Sequence, residues 1–220
     1  MRSRHFRHAG RLFTMHQAEP RVTGVIFDLG GVVLRWNPDE ILRNFYADDT
    51  LRAATKRDVF QHADWQDLDR GTLLERDALQ RFHERTGRPL EEMAALWQAA
   101  RDSLQPIPET LEILEELMAR DVPLYCLSNM PATTADYLRA KFSFWKSFRG
   151  IVISGEIKLL KPDPKIFTYI AERFDLSPRE TVFIDDHLPN IEGANRLGFK
   201  TVLFENPRQC RQALKERFKL

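Results

Sequence analysis

Four stretches of the chain end a short apolar run in polar groups. They are VIFD at residues 25–28, followed by Leu29 and the bare pair Gly30 and Gly31; YCLSN at 125–129, ending in Ser128 and Asn129; GIVIS at 150–154, with Lys161 a few residues on; and VFIDD at 182–186, ending in Asp185 and Asp186. Brought together, Asp28, Asp185 and Asp186 would repel one another unless a cation lay between them. Magnesium is the natural cation, because it takes hard oxygen ligands and is usually held by one or two carboxylates together with a phosphate. Lys161, with the hydroxyl of Ser128 and the amide of Asn129, would then complete a cradle for the other phosphate oxygens. Asp28 would be free to attack phosphorus as a carboxylate nucleophile. Taken singly, each residue also has a structural reading: Asp28 as a turn cap, Ser128 and Asn129 as caps of a helix starting near Pro131, Lys161 as a solvated side chain, and the acidic pair as the start of a loop. Their recurrence at four strand ends is what argues for one site.

Such a site needs strands whose carboxyl ends share an edge. From residue 108 onward helical and strand patterns alternate: PETLEILEELMARD, VPLYCLSN, PATTADYLRAKF, GIVISGE, DPKIFTYIAERF, ETVFIDD, LPNIEGANRLG, KTVLFE and a closing helix. That alternation predicts a parallel sheet with right-handed crossovers. Continuous apolar strands fit a sheet covered on both faces, and open α/β sheets bind ligands beyond the carboxyl ends of their strands. Between Asp28 and this alternation the pattern is helical. PDEILRNFYA opens with Pro38 and acids, TLLERDALQRFHERTG stops at Gly87, and PLEEMAALWQAARDSL spaces apolar residues three and four apart. The expected fold class is therefore α/β: a Rossmann-like parallel sheet at residues 21–36 and 105–220, carrying an inserted small helical-bundle cap at 37–104. Gln105-Pro106-Ile107-Pro108 reads as the stiff exit hinge of the cap.

The first twenty residues hold four arginines and no acid before Glu19. They lack the apolar stretch of a secretory signal, and the simplest origin of the first fourteen is a start codon upstream of Met15. A disordered basic extension over 1–20 is expected, with His5, His8 and His16 as bystanders. In the whole chain of 220 residues, 33 Lys and Arg balance 32 Asp and Glu, so a net charge of +1 offers no field for nucleic acid or an anionic membrane. A small phosphorylated molecule held by local groups is the expected partner, with the protein a monomer or weak homodimer. Cys126 and Cys210 have no metal-ligand spacing and read as buried thiols in a reducing compartment, which makes the cytoplasm the expected location. No apolar run reaches membrane-spanning length.

VIFDLGGVV, CLSN, KPDPKIF and VFIDDHLPNIEGANRLG, in that order, resemble the motifs of the haloacid dehalogenase superfamily, and the resemblance spans roughly residues 22–205. Within it the chain is most similar to the sugar-phosphatase branch that includes α-D-glucose 1-phosphate phosphatase, which shares the Asp-Leu-Gly opening, the Asp-Asp ending and a cap stretch like LDRGTLLERDAL. The resemblance implies a Mg2+-dependent phosphomonoester hydrolase with Asp28 as nucleophile and metal ligand. It implies Ser128 as a phosphate donor, Asn129 as an orienting group, and Lys161 as the cation that neutralises the transferring group. Asp186 would contact the metal directly, with Asp185 behind it or acting through water, and the backbone carbonyl of Gly30 would complete the metal's protein contacts.

One position departs from the family pattern. A second Asp, two residues after the nucleophile, usually protonates the leaving oxygen and activates the hydrolytic water; here that position is Gly30. General acid–base catalysis is worth about 10²–10⁴-fold. Three outcomes follow: a preference for leaving groups that need little protonation, such as anomeric sugar, acyl or aryl phosphates; another group in the role, with His187, His62 and Asp64 as candidates; or a weak enzyme whose role is to bind a phosphometabolite or a partner protein. Dehalogenation is an alternative, since those relatives also lack the second Asp, but they need no metal and the pair Asp185 and Asp186 counts against it. Ser128 lacks the G-x-S-x-G elbow of a serine hydrolase, and VIFDLGGVV is no dinucleotide fingerprint.

Overall fold

The computed structural model describes residues 21–220, so the expected extension at 1–20 lies outside the described residues. Five strands, β1 (Gly24–Phe27), β2 (Leu124–Ser128), β3 (Gly150–Ile153), β4 (Thr181–Asp185) and β5 (Lys200–Leu203), form one parallel sheet in the order β3-β2-β1-β4-β5. The central strand β1 pairs with β2 on one side and β4 on the other, and Phe27 lies opposite both Cys126 and Ile184. This register brings Asp28 out of the sheet level with Asp185.

Five helices that follow β1 form the insertion: α1 (Pro38–Phe45), α2 (Asp49–Thr55), α3 (Ala63–Arg70), α4 (Glu75–Thr86) and α5 (Leu90–Ser103). Local chemistry sets their ends. Asn37 accepts a hydrogen bond from the Glu40 amide ahead of Pro38, and α3 and α4 stop at Gly71 and Gly87, whose φ of 75° and 66° is the left-handed conformation glycine tolerates best. Helix α2 runs on into a π-helical turn over Lys56–Phe60, a distortion found often at functional sites. Leu42, Val59, Leu68, Phe82, Met93 and Leu96 pack with one another in a cluster of their own. The two linkers of this helical cap lie side by side: the Arg35 amide donates to the Gln105 carbonyl at 2.8 Å, and the Ile107 amide to the Val33 carbonyl at 2.9 Å.

The remaining helices are α6 (Pro108–Met118), α7 (Ala132–Lys141), α8 (Ser154–Ile157), α9 (Pro164–Arg173), α10 (Leu188–Arg196) and α11 (Pro207–Phe218). Because side chains alternate along a strand, Val25, Phe27, Cys126, Val182 and Ile184 face one layer, built on Ile113 and Leu117 of α6, Leu138 of α7 and Leu214 of α11. Ile26, Tyr125, Leu127 and Phe183 face the other, with Ile166 and Ile170 of α9 and Ala194 of α10. Both faces are covered, as continuous apolar strands require. Cys126 and Cys210 are free and buried. No described helix is long and apolar enough to cross a membrane.

Candidate active site

The amide of Asp28 donates to the Ile184 carbonyl at 2.9 Å, extending the β1–β4 ladder by one residue and placing its carboxylate beside that of Asp185. Lys161, from the segment between α8 and α9, closes the group. Its Nζ lies 2.9 Å from Asp28 Oδ1 and 2.7 Å from Asp185 Oδ2, with the lysine side chain only 1% exposed. The solvated-lysine reading is thereby excluded. Asp28 Oδ1 also accepts from the Leu29 amide at 2.7 Å, which leaves Oδ2 as the oxygen without a hydrogen-bond partner among the described residues. Asp185 is fully engaged: besides Lys161, it accepts from the His187 amide at 2.8 Å and from Asn190 Nδ2 at 3.0 and 3.1 Å. Carboxylate oxygens of Asp28, Asp185 and Asp186 all lie within 4.8 Å of one another.

Asn129 is a clamp here, not a helix cap. Its Oδ1 accepts from the Lys161 amide at 2.9 Å and its Nδ2 donates to the Lys161 carbonyl at 3.0 Å, while α7 begins after Pro131 with no side-chain cap. Ser128 ends β2 in a buried position, and its hydroxyl has no partner among the described residues. The two glycines after Leu29 are bare for different reasons. Gly31 has φ of 79°, and a Cβ there would stand 2.0 Å from Asp186 Oδ2; the acidic loop occupies that space. A Cβ on Gly30 would meet nothing nearer than Trp36 Cβ at 3.6 Å, so a side chain is absent there without any steric need.

A cavity of about 410 Å³ lies over these groups. Asp28, Gly30, Asn129, Asp186 and His187 line it from the sheet side; Trp36 from the linker and Phe60, Trp65, Asp69, Trp97 and Arg101 from the cap line it opposite. Trp65 sits at the centre of the aromatic wall, with ring centroids 5.7 Å from Trp36, 4.7 Å from Phe60 and 5.3 Å from Trp97. His62 and Asp64 do not line the cavity. His62 Nδ1 accepts from the Asp64 amide at the start of α3, and the Asp64 carboxylate is ion-paired with Arg81 at 2.9 Å and with Arg85. Burial opposes the Asp64 charge, but the two arginines outweigh it and hold the carboxyl below the ordinary carboxylate range. Asp69, Asn190 and the aromatic wall were not singled out from sequence. For Asp69 a signal existed, an acid two residues before the turn glycine of LDRGTLL.

Residues 22–198 match the family described as haloacid dehalogenase-like hydrolase. The chain belongs to that family. Among curated proteins this hydrolase is 29% identical over 173 residues to a sesquiterpene phosphatase, astK, of Aspergillus oryzae, covering 79% of this chain and 85% of that one. It is 26% identical over 204 residues to a D-ribitol-5-phosphate phosphatase of Bacteroides thetaiotaomicron, covering 88% and 97%. In fold it resembles a family enzyme of Bacteroides thetaiotaomicron solved with magnesium and inorganic phosphate, with a TM-score of 0.64 at 23% identity over 84% of this chain and 94% of that one.

The donor set of this hydrolase fits a hard divalent cation. Asp28, Asp185 and Asp186 carry three carboxylates against one ammonium, Lys161, and no other cation forms an ion pair with them among the described residues. Burial raises the Asp28 pKa, Lys161 pulls it down, and Asp185 and Asp186 push it up again, to about 8 in the absence of metal. Burial also works against the Lys161 charge, but Asp185 and Asp28 outweigh it and hold its pKa above the ordinary lysine value. A carboxyl whose folded pKa is raised contributes stability that is complete below its ordinary 3.8 and lost as pH rises through 8. Mg2+ held by these oxygens would bind the ionised form and offset that loss. At 100 times its Kd it adds about 2.7 kcal/mol, which for a chain of this size is a rise of about 5–11 °C in Tm. The rise should be larger at pH 8.5 than at pH 6; a Tm indifferent to Mg2+ at both would show that these oxygens do not bind the ion.

Proposed function

We propose that this hydrolase is a Mg2+-dependent phosphomonoesterase that acts on a small phosphorylated metabolite through an aspartyl-phosphate on Asp28. The observation that carries the reading is the state of the Asp28 carboxylate: one oxygen fixed by Lys161 and the Leu29 amide, the other free, at the floor of the cavity between sheet and cap. Asp28, Asp186 and the Gly30 carbonyl would hold Mg2+, with Asp185 behind them, and the ion would supply charge neutralisation at the phosphoryl oxygens. Lys161 holds the nucleophile's orientation and adds a second positive charge, and the free Ser128 hydroxyl is available to a phosphate oxygen. Asn129 fixes the Lys161 backbone. A carboxylate pair with a lysine is the chemistry of in-line phosphoryl transfer, where positioning and charge dominate, and relatives named as phosphatases and a magnesium–phosphate complex of the same fold accord with it.

The finer reading from the family resemblance and the bare Gly30 is a sugar phosphate with an acidic leaving group, such as an anomeric phosphate. The cavity wall favours a second reading. Trp36, Phe60, Trp65 and Trp97 present apolar rings where a polyol would need hydrogen-bond partners, and the relative astK is named for a sesquiterpene. An apolar organic monophosphate, isoprenoid or aryl, suits such a wall. Turnover of p-nitrophenyl phosphate, glucose 1-phosphate, glucose 6-phosphate and an isoprenoid monophosphate, each with chelator and then with Mg2+, separates these readings. Activity should vanish in chelator and return with Mg2+; full activity in chelator would overturn the metal-dependent reading. Fully burying one large apolar side chain is worth about 1.5–3 kcal/mol. Trp65→Ala should therefore raise KM for the isoprenoid ester about 10–100-fold with kcat little changed. A similar loss on glucose 1-phosphate would count against the apolar class.

A further inference from the structure

We infer that the carboxyl group of Asp69, delivered by the cap, is the acid and base that the bare position Gly30 lacks. The inference rests on the phosphatase reading above. Asp69 lies in the last turn of α3 and lines the same cavity as Asp28 and Gly30. Its backbone is seated on the sheet domain itself. Ser154 Oγ, at the start of α8 just beyond β3, donates to the Asp69 carbonyl while accepting from the Met130 amide. Two residues on, a Cβ at Gly71 would stand 2.3 Å from the Gly155 carbonyl. The end of α3 thus touches the core backbone-to-backbone, which fixes Asp69 over the strand tips without relying on the long linkers.

Its carboxyl forms no hydrogen bond or ion pair with any other described residue. Asp64, five residues earlier in the same helix, is by contrast paired with two arginines. Burial, and then the charge of Asp28, raise the Asp69 pKa well above the ordinary carboxylate value against the pull of Lys161. That direction favours the protonated form, as a leaving-group acid requires.

The step balances as follows. Asp28 Oδ2 attacks phosphorus, the bond from phosphorus to the leaving oxygen breaks with its electron pair on that oxygen, and the Asp69 proton passes to it, giving the free alcohol, phospho-Asp28 and an Asp69 carboxylate. Asp69 then takes a proton from a water molecule as the water oxygen attacks phosphorus. The phosphorus–Asp28 oxygen bond breaks, releasing inorganic phosphate and restoring both carboxyl groups.

Asp69→Asn, Asp69→Glu and the double variant Asp69→Asn with Gly30→Asp are compared with the parent on p-nitrophenyl, anomeric and primary-alkyl phosphates in Mg2+. In the parent, rates should depend weakly on leaving-group basicity. In Asp69→Asn, kcat on the primary-alkyl ester should fall by about 10²–10⁴-fold with KM nearly unchanged. Release of p-nitrophenol should show a burst, because its first step needs no acid while water attack on phospho-Asp28 is slowed. Asp69→Glu should recover part of the rate, and Gly30→Asp should recover it from the other side of the cavity, where a Cβ fits. An Asp69→Asn enzyme with the parent's Tm that loses rate equally on good and poor leaving groups, or loses none, overturns the assignment. A parent inactive on p-nitrophenyl phosphate with Mg2+ removes the phosphatase reading and the inference with it.

Discussion

Asp28→Asn is expected to abolish turnover of every phosphate ester while leaving the fold intact. The amide keeps the carboxylate's shape but is a poor nucleophile, and loss of a covalent nucleophile costs on the order of 10⁴-fold or more in kcat. Its effect on stability has the opposite sign. Without metal, the Asp28 carboxyl is pushed up to about 8 by burial and by the neighbouring acids, so its ionised form destabilises the protein at neutral and higher pH. A neutral amide removes that cost, and Lys161 keeps its contact with Asp185. In metal-free buffer at pH 8.5 the variant should therefore melt at or above the parent temperature, and the gap should close as pH falls toward 4. Steady-state assays and calorimetry on the same preparation check both halves. If the variant hydrolysed p-nitrophenyl phosphate as fast as the parent, water would be attacking directly and the covalent mechanism would be wrong.

Lys161→Met should damage both properties at once. The ammonium group stands between two buried carboxylates, at 2.9 and 2.7 Å, and its removal leaves them facing each other with no cation between them. Breaking a buried pair in this way costs about 3–5 kcal/mol, or roughly 6–20 °C in Tm for a chain of this length. Mg2+ should restore part of the stability by taking over the charge balance, but not the rate, because the second positive charge on the transferring phosphoryl is gone. A variant that melted with the parent would show that the Asn190 and His187 contacts alone hold Asp185 in place, and that Lys161 is dispensable to the fold.

The difference between these two variants shows how much of the site was legible in sequence. The grouping of Asp28, Lys161, Asp185 and Asp186 is legible because a parallel sheet sends every strand tip to the same edge, so a polar ending on an apolar run carries position as well as type. The cap offered no such rule. Its amphipathic pattern shows which residues are buried but not which face turns toward the sheet, and that face depends on how α3 is seated at Ser154 and Gly155. Asp64 and Asp69 illustrate the problem. Five residues at about 100° each place them roughly 140° apart around α3, so one turns to Arg81 and Arg85 while the other looks into the cavity. Asp64, a candidate acid by residue type, is thus turned to the arginines while Asp69 lines the cavity. The aromatic wall was hidden for a related reason: Phe60 reaches the cavity from a π-helical turn that no regular periodicity announces. Asn129 was expected at the site, but its two backbone contacts to Lys161 span 32 residues of sequence and could be seen only in the folded chain.

Of the five strands of this sheet β1 leaves the ribosome first, yet it is the strand that must wait for partners on both edges. Its first neighbour begins at Leu124 and its second at Thr181, which at about 5–20 residues per second puts roughly 8–30 s between the end of β1 and the arrival of β4. Throughout that interval the apolar run Val25-Ile26-Phe27 presents at least one open edge, the kind of surface that pairs with other chains. The cap emerges inside this window, and its apolar residues bury one another, not the waiting strand. Protection of the nascent strand therefore falls to whatever receives the chain at the ribosome, and a ribosome stalled before Thr181 would display Asp28 on an unfinished sheet.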